Sequence, residues 1–354
     1  MDVLVLPGDG IGPEITSATM TILNAVNAKY SLGLNFHAEE IGFVSLQKLG
    51  TTITPHVIDH ARKADGVLLG PVSHNDYPPR DKGGLNPSGE LRIGLDLYAN
   101  IRPARSRFGM GFAGKDVDLI VVRENTEGFY ADRNMYVGSG EFMPTEDIAL
   151  AVRKITVKGC RRIAKAAFEI ASKRPRKKVT AVHKANVMRV SDGLFLREVR
   201  KVAQEYPDVK LDEMIVDATA AMLVRDPARF DVIVTTNMFG DILSDEATEI
   251  SGSLGLGGSL NAGDHIALGQ AQHGSAPDIA GKGIANPVSL ILSASMLLDW
   301  MATEHKKPEL SEAATCISDA VELALATPTT RTRDLGGPLG TNAFVDVVLA
   351  AVRR

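Results

Sequence analysis

Cysteine is nearly missing from this sequence: 354 residues hold only two, Cys160 and Cys316. With no metal-type spacing between them, neither a disulfide framework nor a thiolate metal site is indicated. Long apolar runs are also lacking. No window approaches a membrane span without interruption by charge, glycine or proline. The opening run Val3 to Leu6 has neither a charged n-region nor a long h-region, so the expected compartment is the cytoplasm. Charge of one sign is scarce: 39 basic against 43 acidic residues leave a net charge of -4. Such a chain has no general attraction to nucleic acid or to an anionic membrane. Its one basic run, Lys173 to Lys178, lacks the interleaved aromatics that would stack on bases and reads as a solvated loop. Repeats and low-complexity tracts are absent. The rest is the composition of a globular enzyme, 44% hydrophobic and 23% charged, long enough for two domains or one large one.

Strand-like runs alternate with helical patterns almost throughout. Val3 to Leu6, Gly66 to Leu69, Leu119 to Val122, Val179 to Val182, Glu213 to Val216 and Asp231 to Thr235 read as strands. Helical patterns fall near Pro13 to Tyr30 and His56 to Ala64. The alternation predicts an α/β architecture with a largely parallel sheet. Two stretches break it. His74 to Ser88, rich in proline, glycine and charge, reads as a functional loop. Tyr136 to Thr145, followed by the alternating Ile148 to Val152, reads as an arm reaching toward a partner chain.

Asp241 and Asp245 follow the strand Asp231 to Thr235 and are four residues apart, so on a helix both carboxylates leave one face. Their mutual repulsion would become binding around a hard divalent cation, which takes carboxylate oxygens. Asp217, at the end of a similar strand, is a third candidate ligand. The competing reading is that these are helix-start carboxylates favoured by the dipole. Gly8-Asp9-Gly10-Ile11-Gly12-Pro13 follows a strand and opens a helix, yet fails the Rossmann fingerprint. The third glycine comes one residue early, and Glu39-Glu40 lies too far downstream to serve as the ribose-binding acid. Arg92, Arg102 and Arg123 cluster around strand ends. They are either solvated or turned toward the crevice where α/β ligands bind, where guanidinium suits bidentate carboxylate recognition.

Four segments carry a resemblance. They are Arg123 to Tyr130, His183 to Val187, Asn237 to Asp245 and His273 to Lys282. In order over nearly the whole chain, they resemble the β-decarboxylating dehydrogenases, the family of isocitrate, homoisocitrate, isopropylmalate, tartrate and D-malate dehydrogenases. The resemblance implies an isocitrate/isopropylmalate dehydrogenase-like α/β fold with two domains and non-Rossmann dinucleotide binding. The large, cofactor-binding domain would be discontinuous, 1–99 and 253–354. The small domain, 100–252, would carry a dimerisation arm at about 130–156. The enzyme would be a homodimer with shared active sites, Lys184 and Asp217 arriving from the other subunit, and a monomer would be inactive.

The same resemblance implies the roles. Asp241, Asp245 and the partner's copy of residue 217 would hold Mg²⁺ or Mn²⁺, which acidifies the substrate hydroxyl and stabilises the enolate left when CO₂ departs. Lys184 would be the base, which requires an ammonium pKa lowered by the nearby cation. Tyr130 would protonate the enolate carbon. Arg92, Arg102 and Arg123 would grip the β-carboxylate, with Ser88 and Asn186 also on the substrate. The cofactor would be NAD, bound by His273, Gly274, Ser275, Ala276, Asp278 and Asn286. Asp278 matches the acid that accepts from the ribose hydroxyls and repels a 2′-phosphate; His273 and Asn286 would border the adenine.

The substituent on the substrate is read just before Arg92. Ser88 and Gly89 offer no apolar shelf for an isopropyl group, and unpaired polar groups buried against one would be costly. A polar or carboxylated substituent is therefore expected, of the isocitrate/homoisocitrate type, on a small 2-hydroxy di- or tricarboxylate. Isopropylmalate, tartrate and D-malate stand as alternatives, since the loop His74 to Gly84 matches no branch well. A non-catalytic regulatory subunit would have lost a catalytic or metal residue, and none is lost.

Overall fold

The computed structural model describes residues 1–107, 109–111, 116–130 and 134–354. From the N-terminus the elements are β1 (Asp2–Leu6), α1 (Gly12–Lys29), β2 (Asn35–Ala38), α2 (Gly42–Leu49), α3 (Pro55–Lys63), β3 (Gly66–Leu69) and α4 (Pro87–Gly94). Next come β4 (Ala99–Arg105), β5 (Asp118–Glu124), β6 (Glu141–Thr145), β7 (Ile148–Ala151), α5 (Val157–Ser172), β8 (Lys178–His183) and α6 (Ser191–Ala203). Then follow β9 (Lys210–Ile215), α7 (Val216–Arg225), β10 (Val232–Thr235), α8 (Asn237–Ser251), β11 (Leu260–Ala262) and β12 (Ala267–Gln270). The chain closes with α9 (Val288–Glu304), α10 (Pro308–Ala326) and α11 (Thr341–Val352).

These elements divide into two units, Met1–Leu97 with Ser253–Arg354, and Tyr98–Gly252. In the first unit the strand order is β2-β1-β3-β12-β11, parallel except for the β11/β12 pair. In the second it is β4-β5-β10-β8-β9, parallel except for β4/β5. The expected α/β architecture and the largely parallel sheet are thus present. Strands β1, β3 and β10 are near-continuous buried apolar runs, as strands covered on both faces must be. Helix starts follow local chemistry. The Thr54, Asn86 and Thr156 side chains each accept a backbone N–H three residues on, opening α3, α4 and α5. Among the described residues no helix is long and apolar enough to cross a membrane.

The glycine turn after β1 has a structural explanation. Gly8 and Gly10 both lie at positive φ. A Cβ on Gly10 would sit 2.0 Å from the Ser275 carbonyl oxygen, and Ile11 N–H donates to that same oxygen at 2.8 Å. These glycines permit a close backbone approach within the first unit, which accounts for a turn that resembles a phosphate-binding fingerprint without matching one.

Three expectations need correction. Asp217 does not end a strand: β9 stops at Ile215, and Asp217 lies in the first turn of α7. The reading of Asp241 and Asp245 as helix-start carboxylates fails, because α8 begins at Asn237 and has no acidic residue in its first turn. The basic run is not simply solvated either. Arg174 pairs with Asp118 and Asp231, and Arg176 with Asp231. The stretch His74 to Ser88 contains two short 3₁₀ turns and the start of α4. Strands β6 and β7 form a two-stranded hairpin whose residues are all exposed in the single chain.

Candidate active site

In the second unit the antiparallel register pairs Arg102 with Val121 and Asn100 with Arg123. Residues two apart on a strand share a face, so both guanidinium groups leave the same side of the sheet, toward α8. Helix α8 comes close there because residue 240 is glycine: a Cβ would stand 2.6 Å from the Arg123 Cβ. Arg102 and Arg123 are nearly fully buried, at 8% and 2% side-chain exposure, whereas Asp241 and Asp245 keep 40% and 48%. Arg102 Nη1 pairs with Asp245 at 2.9 Å and with Asp241 at 3.4 Å, and Arg123 pairs with Asp241. Burial and the adjoining Arg123 charge push Arg102 down to about 10, which still leaves it protonated at neutral pH.

Tyr130 completes this group. Its hydroxyl accepts from Arg123 Nη2 at 2.6 Å and donates to Asp241 Oδ2 at 2.8 Å. The loop that carries it is folded back on Glu124, whose carboxylate accepts from Thr126 N–H, Thr126 Oγ1 and Glu127 N–H. Asn237 ties loop to strand. Its Oδ1 accepts from Arg123 Nε at 2.9 Å and its Nδ2 donates to the Glu127 carbonyl at 2.8 Å.

A second cluster lies where β8 and β9 end. Their parallel register pairs His183 with Ile215, and just beyond the strand ends Lys184, one residue on, meets Asp217, two residues on, as an ion pair. That hydrogen bond holds the Asp217 carboxyl below its usual range. The turn carrying Lys184 is fixed from beneath. Asp192, fully buried, accepts the Lys184 N–H at its Oδ2 and pairs at 2.6 Å with Arg153. Arg153 also donates to Thr236 Oγ1 at 2.9 Å and lies over the Phe129 and Phe239 rings. Asn186 is exposed on the same turn.

In the first unit, Ser88 and Arg92 lie on α4 and both donate to Gln270 Oε1, at 2.9 and 3.2 Å. The 273–286 segment is anchored by Ser275, whose Oγ is 2.7 Å from the Ser73 Oγ. Ala276 takes a left-handed conformation that leads into the exposed Pro277–Ile279 turn with Asp278. Gly274 is exposed, with open space where a Cβ would stand. His273 Nδ1 donates to the Gly274 carbonyl at 2.9 Å, which leaves Nε2 as the acceptor nitrogen, buried and without a partner. Burial lowers the His273 pKa, so the ring is neutral at pH 7. Asn286 is committed internally, donating to Asp334 and accepting from Val288 N–H at the start of α9.

The donor set suits a hard cation. Asp241 and Asp245 present carboxylates from one helix face, half-exposed away from their buried arginines, and an ionised carboxylate offers about four lone-pair positions. Asp217 does not join them in one metal-sized cluster among the described residues. The unpartnered acceptor on His273 likewise suits an amino-bearing base such as adenine.

Sequence reasoning missed Asn237, Asp192, Arg153 and Gln270 as positioning residues. Arg153 and Asp192 are 39 positions apart and Ser88 and Gln270 are 182 apart, so no local pattern links them. The one available signal was charge at Arg153 and Asp192 inside otherwise apolar or helical surroundings.

Buried arginines set against paired carboxylates, on an open α/β sheet, match the arrangement by which such folds hold small acidic ligands. The chain belongs to the isocitrate/isopropylmalate dehydrogenase family, whose model matches residues 2–348, and is an oxidoreductase of that family. It is 42% identical to the 3-isopropylmalate dehydrogenase of Saccharolobus solfataricus, with 98% of each chain covered. It is 41% identical to the homoisocitrate dehydrogenase of Methanocaldococcus jannaschii, over 100% of this chain and 98% of that protein. The crystal structure of isocitrate dehydrogenase from Methylococcus capsulatus matches with a TM-score of 0.88 and 38% identity, covering 100% and 99% of the two chains.

Proposed function

We propose that this enzyme carries out NAD-linked, divalent-metal-dependent oxidative decarboxylation of a 3-substituted (R)-malate with a polar or carboxylated substituent, as in isocitrate or homoisocitrate. The observation that carries the substituent is the buried pair Ser88 and Gly89 on α4, where the Ser88 hydroxyl donates to Gln270 beside Arg92. An isopropyl group brought against that polar wall would find no apolar shelf and would strip water from groups whose bonds to one another use only part of their hydrogen-bonding capacity, a discrimination of about 1–3 kcal/mol.

Asp241 and Asp245 of one subunit, with Asp217 of the other, would hold Mg²⁺ or Mn²⁺. That cation, when bound, supplies Lewis acidity at the substrate oxygens, and NAD supplies the hydride acceptor. Lys184 removes the proton from the substrate's α-hydroxyl oxygen. Arg92, Arg102 and Arg123 grip the β-carboxylate until it leaves as CO₂, the last two already pre-positioned by burial. Tyr130 delivers a proton to the carbon that has lost CO₂, and the Arg123 guanidinium at 2.6 Å stabilises the resulting phenolate. Asn186 contacts the substrate from the Lys184 turn. Asp278 accepts from the ribose hydroxyls, His273 Nε2 accepts from the adenine amino group, and Gly274, Ser275, Ala276 and Asn286 shape the cofactor loop. The exposed apolar side chains of the β6–β7 hairpin, Phe142, Met143, Ile148 and Leu150, suit burial against a second copy in a homodimer.

A second reading, 3-isopropylmalate as substrate, has the support of a relative of that name at 42% identity. An assay with NAD⁺ and Mn²⁺ across isocitrate, homoisocitrate, isopropylmalate, D-malate and tartrate separates the two. We expect kcat/KM to be highest for a tricarboxylate; a clear win for isopropylmalate overturns the assignment drawn from Ser88 and Gly89.

A further inference from the structure

Outside the residues already assigned, the first unit holds a cluster of metal-ligating side chains at the open edge of its sheet. Strand β2 ends at Ala38, and the next residue, Glu39, continues the ladder by donating its N–H to the Val5 carbonyl at 3.0 Å. Helix α3 stands beside it, its start fixed by Thr54 and Pro55. His56 and His60 are four residues apart on α3, so their rings leave the same face, the spacing by which helical histidine pairs chelate metal. Their ring centroids are 6.2 Å apart.

Both imidazoles converge on one carboxylate oxygen. His60 Nδ1 is hydrogen-bonded to Glu39 Oε1, and His56 Nε2 lies 3.6 Å from the same atom. The three donor atoms all fall within 4.8 Å of one another, the one such group of three among the described residues. A tetrahedral cation with ligands at about 2.0–2.1 Å needs its donors about 3.4 Å apart. The His56 Nε2–Glu39 Oε1 contact, at 3.6 Å, is already near that spacing, whereas His60 and Glu39, in direct hydrogen-bond contact, must open to admit the cation while His56 turns in toward both. His56 can do so, since its side chain is 80% exposed, against 29% for His60 and 20% for Glu39. His37 stands beside the trio, its ring 5.7 Å from that of His60, with its Nε2 on Asp2 at 3.3 Å.

We propose that Glu39, His56 and His60 form a binding site for a borderline divalent cation of the zinc class, with the fourth position open to solvent. Two imidazoles and one carboxylate favour zinc, nickel or copper over magnesium, which prefers an all-oxygen octahedron and gives up water reluctantly. The site is thus chemically distinct from the carboxylate pair on α8. Its occupation would clip the end of β2 to α3 across the intervening α2, bracing this edge of the first unit.

The test is equilibrium dialysis of chelator-stripped full-length protein against micromolar zinc, with excess Mg²⁺ present to occupy the all-carboxylate site. Wild type should bind one zinc per chain beyond any held by the aspartates, and zinc should raise its melting temperature. His56→Ala, a change at an exposed position, should weaken this binding at least tenfold, since loss of supporting groups alone costs about 10–100-fold. Glu39→Gln should do the same, with Mg²⁺-dependent turnover unchanged in both. If wild type takes up no zinc, or His56→Ala binds it as tightly as wild type, the site does not exist. Zinc binding lost instead in Asp241→Asn would also overturn it.

Discussion

Replacing Asp192 by asparagine is the sharpest test of how the Lys184 turn is held. Asp192 is fully inaccessible and Arg153 is only 7% exposed, with Nη1 and Oδ1 2.6 Å apart. Two unit charges at that separation attract by about 6 kcal/mol at an effective dielectric of about 20, and desolvation offsets much of this. Removing one partner leaves the other charge buried, so Asp192→Asn should destabilise the second unit by about 3–5 kcal/mol. The size is nearly unchanged, so packing contributes little. Arg153→Met should cost a similar amount, whereas the double variant Arg153→Met/Asp192→Leu removes both charges and should lose less than either single variant. Urea unfolding followed by tertiary fluorescence, comparing midpoints at matched slopes, measures all three. A loss below about 1 kcal/mol for Asp192→Asn, or additive losses in the double variant, would refute the idea that this pair is a desolvated unit. Asp192→Ala further removes the acceptor for Lys184 N–H. Its kcat should therefore fall more than its KM changes, because the proposed base loses its backbone anchor.

Three other outcomes are expected. Asp241→Asn should abolish turnover at low Mn²⁺ while leaving NAD binding intact, as read by steady-state rates and cofactor titration; wild-type activity would end its ligand role. Asp278→Lys should lower kcat/KM for NAD and raise it for NADP, and an unchanged ratio would remove the proposed ribose contact. Glu198 should contribute to acid stability. Burial alone would raise its pKa, but hydrogen bonds from Arg161, Arg197 and Lys201 outweigh that and hold it at about 2, against an ordinary 4.5. A carboxyl lowered by folding contributes its stability above the unfolded value and loses it as pH falls through the folded one. Urea midpoints should therefore drop between about pH 4.5 and 2, and Glu198→Gln should flatten that slope.

Local chemistry made much of the fold legible. The run Gly66 to Leu69 is β3 to the residue, because four consecutive buried apolar residues between a helix and a glycine-proline turn admit few other conformations. The helix read over His56 to Ala64 spans Pro55–Lys63, its start set one residue earlier by the Thr54 cap and Pro55. Asp217 was misread because Met214-Ile215-Val216 is apolar and β-branched, while the chain turns into α7 at Val216. Where a strand gives way to a helix is decided by ladder pairing with β8, which composition does not report.

For the site, the sequence by itself determined which atoms are available: two carboxylates at helical spacing, three arginines, a lysine, a tyrosine and an acid on an exposed turn. Their order in four segments determined the family they resemble. Folding decided where they stand and what they touch. The β4/β5 register turned Arg102 and Arg123 to one face, Gly240 let α8 close on them, and Asn237 tied that pair to the Tyr130 loop. Burial decided the electrostatics, because an arginine becomes a fixed binding group only when the surrounding protein removes its water and supplies its counter-charge. Asp192 beneath Lys184 and Gln270 beneath Ser88 and Arg92 belong to the same class of fact. Their partners are brought together by folding across many residues, and no period or spacing along a chain encodes such contacts.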